Sequence, residues 1–233
     1  MADLDRRGVG DVNTLTVKEY LALGRGERFF YRLYRNPFLL FIVGPAYVFL
    51  LRYRTPTSAP RTSTWLSTQV TNFVLLAVGI VAYWTGNLGA LLFTHLTILW
   101  VTTSVAVWLF YVQHQFETTY WVRSSDWRFR EAALRSSSYV DLPRVLRWFT
   151  ANIGPHHLHH LNSHIPNYRL YECLEEFPAL ASVNRLTLVE ALRATRLALW
   201  DEEARRLVGF EALKRRTSAA DASAAAVGRP AAA

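Results

Sequence analysis

The stretch TSTWLSTQVTNFVLLAVGIVAYWTGNLGALLFTHLTILWVTTSVAVWLFYVQHQF, from Thr62 to Phe116, contains no Asp, Glu, Lys or Arg. A helix on the surface of a soluble protein keeps a polar face, and this run has none, so hydrocarbon is its natural surrounding. Trp84-Thr85-Gly86-Asn87-Leu88-Gly89 is turn-forming and divides the run into Trp65–Tyr83 and Leu88–Val112. Each part is long enough to cross a bilayer, and the reading is a transmembrane helical hairpin. Arg52, Arg54 and Arg61 precede it, Arg123, Arg128 and Arg130 follow it, and the connecting turn is uncharged. By the positive-inside tendency both outer ends, and with them the termini, are expected in the cytoplasm.

Working outward toward the N-terminus, Phe38 to Leu51 is apolar but short of a full span, and Gly44-Pro45 interrupts it. An interfacial or re-entrant helix is predicted there. Thr14 to Leu21 reads as a short helix capped by Thr16, with Glu19 closing the box. Thr55 to Thr64, rich in Pro, Ser and Thr, is a linker. Met1 to Arg7 has a basic pair with no apolar run behind it, which is not the pattern of a secretory signal.

Toward the C-terminus, prolines at 143, 155, 166 and 178 separate segments of helical character. These are Trp127–Ser137, Tyr139–Asn152, His156–Leu161, Leu170–Phe177 and Leu186–Lys214, the last amphipathic. From Thr217 onward Ala, Ser, Gly and Pro dominate and disorder is expected. The expected fold is therefore all-α: a membrane hairpin over residues 62–116, preceded by an interfacial segment over 1–61 with one short apolar helix. A helical cytoplasmic cap over 117–216 and a disordered tail over 217–233 follow.

Composition narrows the function classes. The chain of 233 residues carries a formal charge of +8, yet its basic residues sit beside aromatics at the edges of apolar runs, as in Arg52-Tyr53-Arg54. That is an interfacial pattern, and no nucleic-acid recognition motif accompanies it, so nucleic acid is not expected as a partner. A single cysteine, Cys173, excludes an internal disulfide and cysteine-only metal sites. Histidine and carboxylate are left as the ligand set.

Histidine is concentrated in Gly154-Pro155-His156-His157-Leu158-His159-His160-Leu161-Asn162-Ser163-His164. On a helix His156, His159 and His160 stand at i, i+3 and i+4, so their imidazoles project from one side and can converge on a metal, while His157 turns about 100° away. In Tyr111-Val112-Gln113-His114-Gln115-Phe116-Glu117 an apolar helix becomes polar as it leaves the membrane, which makes His114 a candidate fourth ligand.

The HxxHH spacing at His156, His159 and His160, the Gln113-His114-Gln115-Phe116-Glu117 stretch before it and Ile165-Pro166-Asn167-Tyr168-Arg169-Leu170 after it resemble the membrane fatty acid desaturases. The likeness points to the omega-6 (delta-12) branch and extends over almost the whole chain to about Arg215, including Asn36-Pro37-Phe38 through Gly44-Pro45. The resemblance implies a di-iron enzyme that uses O2 to place a cis double bond in lipid acyl chains. A separate donor of ferredoxin or cytochrome type would supply the electrons. Residue by residue, His156, His159 and His160 match the family's third histidine box, and His114 matches the additional histidine from the last transmembrane helix. Asn152 and Asn162 flank the box and are expected to orient ligands by hydrogen bonds, whereas His95, within the apolar helix, is expected to serve helix packing. His157 and His164 are not assigned to metal. The family's first two boxes precede the segment that begins here at Leu4-Asp5-Arg6-Arg7, and neither is present. The sequence thus reads as a C-terminal part, missing a further N-terminal partner region and expected to be inactive alone. A related di-iron hydroxylase or ketolase, and a non-catalytic membrane remnant, are the competing readings.

Overall fold

The computed structural model describes residues 2–7, 12–55 and 62–213. It is mostly helical, and it falls into two compact units, one comprising Met1–Phe29 with Tyr111–Ala233, the other Phe30–Phe110.

In the second unit, α4 (Thr62–Trp84) and α5 (Leu88–His114) are both long and apolar enough to cross a membrane. The turn between them forms where expected. Gly86 takes a left-handed φ of +73°, and the N–H of Asn87 donates to Ala82 O at 2.7 Å, closing the end of α4. Phe73, Leu76, Val81, Phe93 and Ile98 are exposed on these helices, as bilayer-facing side chains would be. His95 is exposed as well, so the expected packing role is not seen among the described residues.

Upstream, α2 (Arg25–Tyr34) ends at Asn36-Pro37, where Asn36 Oδ1 accepts from the N–H of Phe38 at 3.0 Å. The chain then bends by 56° and continues as a π-turn over Leu39–Val43 and helix α3 (Gly44–Leu50). Gly44-Pro45, expected to interrupt this helix, instead lies at the start of α3. The widened turn accommodates a proline that has no N–H to give. The carbonyl of Ile42 in that turn is taken by the indole N–H of Trp100 at 2.8 Å.

The first unit mixes short helices with short strands. Thr16 and Glu19 form the expected capping box at the start of α1 (Val17–Ala22). Just before it, β1 (Leu15–Thr16) pairs in parallel with β4 (Leu199–Asp201), which pairs antiparallel with β5 (Arg206–Val208). Leu186–Lys214 is therefore not one helix. Thr187 and Glu190 cap the short α11 (Leu188–Ala194), and Asp201 Oδ1 accepts from the N–H groups of Glu203 and Ala204, turning the chain back on itself. Leu199, Trp200, Leu207 and Val208 are all buried as a result. Pairing with a segment far away in sequence outweighs the local helical pattern.

Tyr139–Asn152 is likewise divided. β2 (Tyr139–Val140) pairs in parallel with β3 (Arg185–Leu186), and Pro143 precedes α7 (Arg144–Phe149). Helices α6 (Phe129–Arg135), α8 (His156–Leu161) and α9 (Leu170–Glu176) form where helices were expected. The four-residue α10 (Pro178–Ala181) follows α9. Tyr139, Leu158, Leu170 and Leu174 make the core under α8. The expectation of disorder from Thr217 lies outside the described residues, as does most of the linker expected at Thr55–Thr64.

Candidate metal centre

The last turn of α5 is the opposite of the rest of that helix. Tyr111, Val112, Gln113, His114, Gln115 and Phe116 are each at most 3 % exposed. Polar side chains this deep must be hydrogen-bonded, and they are. Tyr111 OH donates to Leu197 O, Gln113 Nε2 donates to Ile153 O at 2.9 Å, and Gln115 Oε1 accepts from Thr14 Oγ1 at 3.1 Å. The serine run after α6 returns the bonds: Ser138 N–H donates to Gln113 O at 2.9 Å and Ser138 Oγ to Val112 O at 3.2 Å. His114 is thus held from several directions at once.

Helix α8 supplies the facing imidazoles. Its entry is tight: a Cβ on Gly154 would lie 2.6 Å from Val140 O and 2.8 Å from Tyr171 OH, so only glycine fits two residues ahead of His156. Leu158, 1 % exposed, anchors the helix in the core. His157, expected to turn away from the other histidines, is buried, and its Nε2–H donates to Leu180 O at 3.0 Å, pinning α8 from behind.

His114, His156 and His160 meet. His156 Nε2 lies 3.1 Å from His114 Nε2 and 3.0 Å from His160 Nε2, and one ring nitrogen from each of the three lies within 4.8 Å of the others. His114 Nδ1 is 3.2 Å from Ser136 O, and because a carbonyl only accepts, the proton sits on Nδ1 and leaves a lone pair on Nε2. Burial, then the neighbouring imidazoles, push His156 down to about 2; burial and His159 push His160 down to about 4. Both rings are neutral at physiological pH, the form a metal requires.

Ring nitrogens this close are bridged either by N–H···N hydrogen bonds or by a cation that takes a lone pair from each. Bonds of about 2.0–2.1 Å at angles between octahedral and tetrahedral separate ligand nitrogens by about 2.9–3.4 Å. The contacts of 3.0 and 3.1 Å fall in that interval and the third pair lies within 4.8 Å, a grouping that could hold one metal ion.

His159 stands beside this group. Its ring stacks on His156 at 5.5 Å and lies 5.7 Å from His160, and its nitrogens fall outside the three-residue set. Helical spacing keeps His159 on the same side as His156, about 60° round from it, but about 100° from its neighbour His160, so a metal held between His156 and His160 lies to one side of it. The two asparagines serve the backbone. Asn162 Oδ1 accepts from the N–H of His164, and Asn152 adopts a left-handed φ of +56° and donates its N–H to Arg147 O, ending α7. The group that orients the His114 ring is the Ser136 carbonyl, which sequence reasoning missed; the buried run Ser136-Ser137-Ser138 was its only trace. His164 is exposed.

Fold and site together define a class: mostly helical proteins with bilayer-length apolar helices, in which a buried histidine cluster able to hold a metal forms at a helix end. Residues 9–188 match the fatty acid desaturase family model, and the chain belongs to that family. It is 40% identical over 213 residues to a protein of Bacillus subtilis (strain 168) named fatty acid desaturase. The aligned stretch is 91% of this chain and 60% of that protein, so the chain spans about three fifths of its relative's length.

Proposed function

We propose that this chain is the C-terminal part of a membrane di-iron fatty acid desaturase of the omega-6 (delta-12) type, which uses O2 to introduce a cis double bond into lipid acyl chains. The observation that carries the reading is the convergence of His114, His156 and His160 in a chain of this family. Those three residues would hold one iron, and His159, one helix position aside, would serve a second. Iron, once bound, supplies the oxygen-activating and hydrogen-abstracting chemistry. The chain's own contribution is positional. Ser136 O sets the tautomer of His114, His157 and Gly154 fix the pitch of α8, and burial keeps the imidazoles unprotonated.

Helices α4 and α5 span the bilayer with their outer ends in the cytoplasm, which puts the metal ligands on the side where a ferredoxin or cytochrome donor can reach them. Among the described residues one group of three or more metal-ligating side chains exists, and a second iron would draw its remaining ligands from the further N-terminal region proposed here. His156 Nδ1, buried and without a hydrogen-bond partner among the described residues, is an atom that such residues would satisfy.

The test expresses the chain alone and together with the N-terminal region of a full-length relative, in a host lacking desaturases and supplied with iron and a reductant. Alone, it is expected to bind no more than one iron per chain and to leave lipid acyl chains unchanged; the combined form binds two and yields acyl chains short of two hydrogens. New double bonds made by the chain alone would overturn its incompleteness. An alcohol in place of an alkene would transfer the assignment to the related hydroxylases.

A further inference from the structure

Helix α7 turns an apolar face outward. Val145, Trp148 and Phe149 stand at i, i+3 and i+4 and so share one side of the helix. Trp148 and Phe149 are 76 % and 72 % exposed, with their rings packed edge to face at 4.9 Å. Tyr168, also exposed, belongs to a turn tied to the end of α7 by the bond from Asn167 Nδ2 to Ala151 O at 3.0 Å. Arg147 takes the opposite side of the helix, where it pairs with Asp141 at 3.1 Å and lies 4.3 Å over the Tyr171 ring. Arg144 flanks the apolar face, is exposed, and makes no ion pair among the described residues. Between Asp141 and Glu172 the sequence has no carboxylate side chain.

An exposed aromatic face with basic residues and no acidic ones has the composition of a membrane interface, where rings settle at headgroup level and cations are drawn to anionic lipid. Chain continuity brings α7 to that level. α5 has 27 residues, about 40 Å at 1.5 Å each, against a hydrocarbon core of about 30 Å, so its last turn emerges among the headgroups. Gln113 in that turn donates to Ile153 O at 2.9 Å, and only Thr150, Ala151 and Asn152 separate Ile153 from Phe149. Phe149 therefore lies within about 14 Å of Ile153 however the chain runs. We infer that α7 is a second membrane anchor: Val145, Trp148 and Phe149 enter the boundary between headgroups and acyl chains of the leaflet from which α5 emerges, with Arg144 beside the lipid phosphates. The inference rests on the reading of α4 and α5 as spans. Its consequence is positional. Ile153 and Gly154 lead from α7 straight into α8, so the depth of the anchor sets the height of the histidine cluster over the bilayer.

The experiment places the full chain, in a Cys173→Ala background, in nanodiscs of phosphatidylcholine and phosphatidylglycerol, with a nitroxide on one cysteine at a time. The variants are Val145→Cys and Phe149→Cys on α7, Phe73→Cys on the exposed face of α4, and Val189→Cys, exposed in the same unit as α7 but next to Glu190. Each label is relaxed by O2, which concentrates in hydrocarbon, and by a chromium chelate, which stays in water. The ratio of the two accessibilities is expected to be at least about fivefold higher at Val145→Cys and Phe149→Cys than at Val189→Cys, and close to that at Phe73→Cys. Adding Trp148→Ser to Val145→Cys is expected to lower its ratio by about threefold or more. Helical content equal to the parent's by circular dichroism certifies that each labelled chain is folded. Chelate access at Phe149→Cys equal to that at Val189→Cys would overturn the anchor. Exclusion of both reagents from Phe149→Cys, in the chain alone or together with the N-terminal region of a full-length relative, would show that protein covers this face and would overturn it as well. An aqueous label at Phe73→Cys would remove the anchor together with the spans on which it rests, which distinguishes that failure from failure of α7 by itself.

Discussion

Helix α5 passes through two environments without a break in its backbone. From Leu92 to Trp100 it is largely exposed, with Phe93 at 75 %; from Tyr111 to His114 nothing exceeds 3 %. The exposed part carries no formal charge and makes few side-chain hydrogen bonds across the chain, Trp100 to Ile42 O being one. The buried part is almost entirely bonded, to Leu197, Ile153 and the serine run 136–138. One helix therefore meets two physical demands. Its apolar part is specified by what surrounds it and tolerates exchange among apolar residues, whereas its last turn is specified by partners at fixed positions and tolerates very little.

The contrast breaks most severely at the clustered histidines. His114→Ala or His156→Ala should lower cobalt or iron affinity by more than about 100-fold, beyond what loss of a supporting group costs. Equilibrium dialysis with metal analysis measures it, and an unchanged stoichiometry would dissolve the three-imidazole site. Exchange of Phe93 for Leu on the exposed face should leave both affinity and stability in detergent within about 0.5 kcal/mol of the parent.

Next in size is Gly154→Ala, which forces a Cβ to within 2.6 Å of Val140 O. Thermal unfolding should show a loss of about 1–3 kcal/mol, with weaker metal binding because α8 must shift. Gly79 faces open space on α4, and alanine there should be neutral or slightly stabilising. Equal effects at the two glycines would contradict the division between a fitted region and a solvated one.

Gln113→Leu leaves the Ile153 carbonyl without its donor and should cost about 1–3 kcal/mol, with a drop of about tenfold in metal affinity, since Ile153 leads directly into the histidine box. Gln113→Glu retains an acceptor and no donor, and should be no better. A glutamine whose removal altered stability while leaving cobalt affinity intact would be a packing residue only.

The smallest effect is one of pH. Asp141 accepts from Tyr139 OH at 3.1 Å and from Arg147 at 3.1 Å and pairs with Arg185, and although burial raises its carboxyl, those partners hold it below the usual carboxylate value. A carboxyl depressed in the folded state contributes stability above its unfolded value of about 3.8 and loses it as pH falls below that. Acid should therefore loosen β2 and β3 while the hairpin, which has no carboxylate, stays helical. Asp141→Asn should remove the part of that acid sensitivity that comes from this site, as followed by hydrogen exchange in the two regions.

Much of this architecture was legible in the residues alone. The charge-free run and its Gly86 turn gave the hairpin, Thr16 with Glu19 gave the first cap, and helix α8 begins and ends at the residues expected, His156 and Leu161. Each of these is a local signal, written within one or two helical turns. His114, His156 and His160 were named as ligands because of helical spacing and the likeness to the family, and the fold brings them together. Tertiary structure alone decided the rest. Leu186 to Leu213 is divided because Leu15 lies beside Leu199, and Tyr139–Val140 is a strand because Arg185–Leu186 lies beside it. His159 stands apart because the third imidazole comes from α5, on the side of His160. The carbonyl that orients His114 belongs to Ser136, and a backbone oxygen has no signature in the sequence. Such contacts join residues whose separation along the chain carries no period, so only the folded chain could supply them.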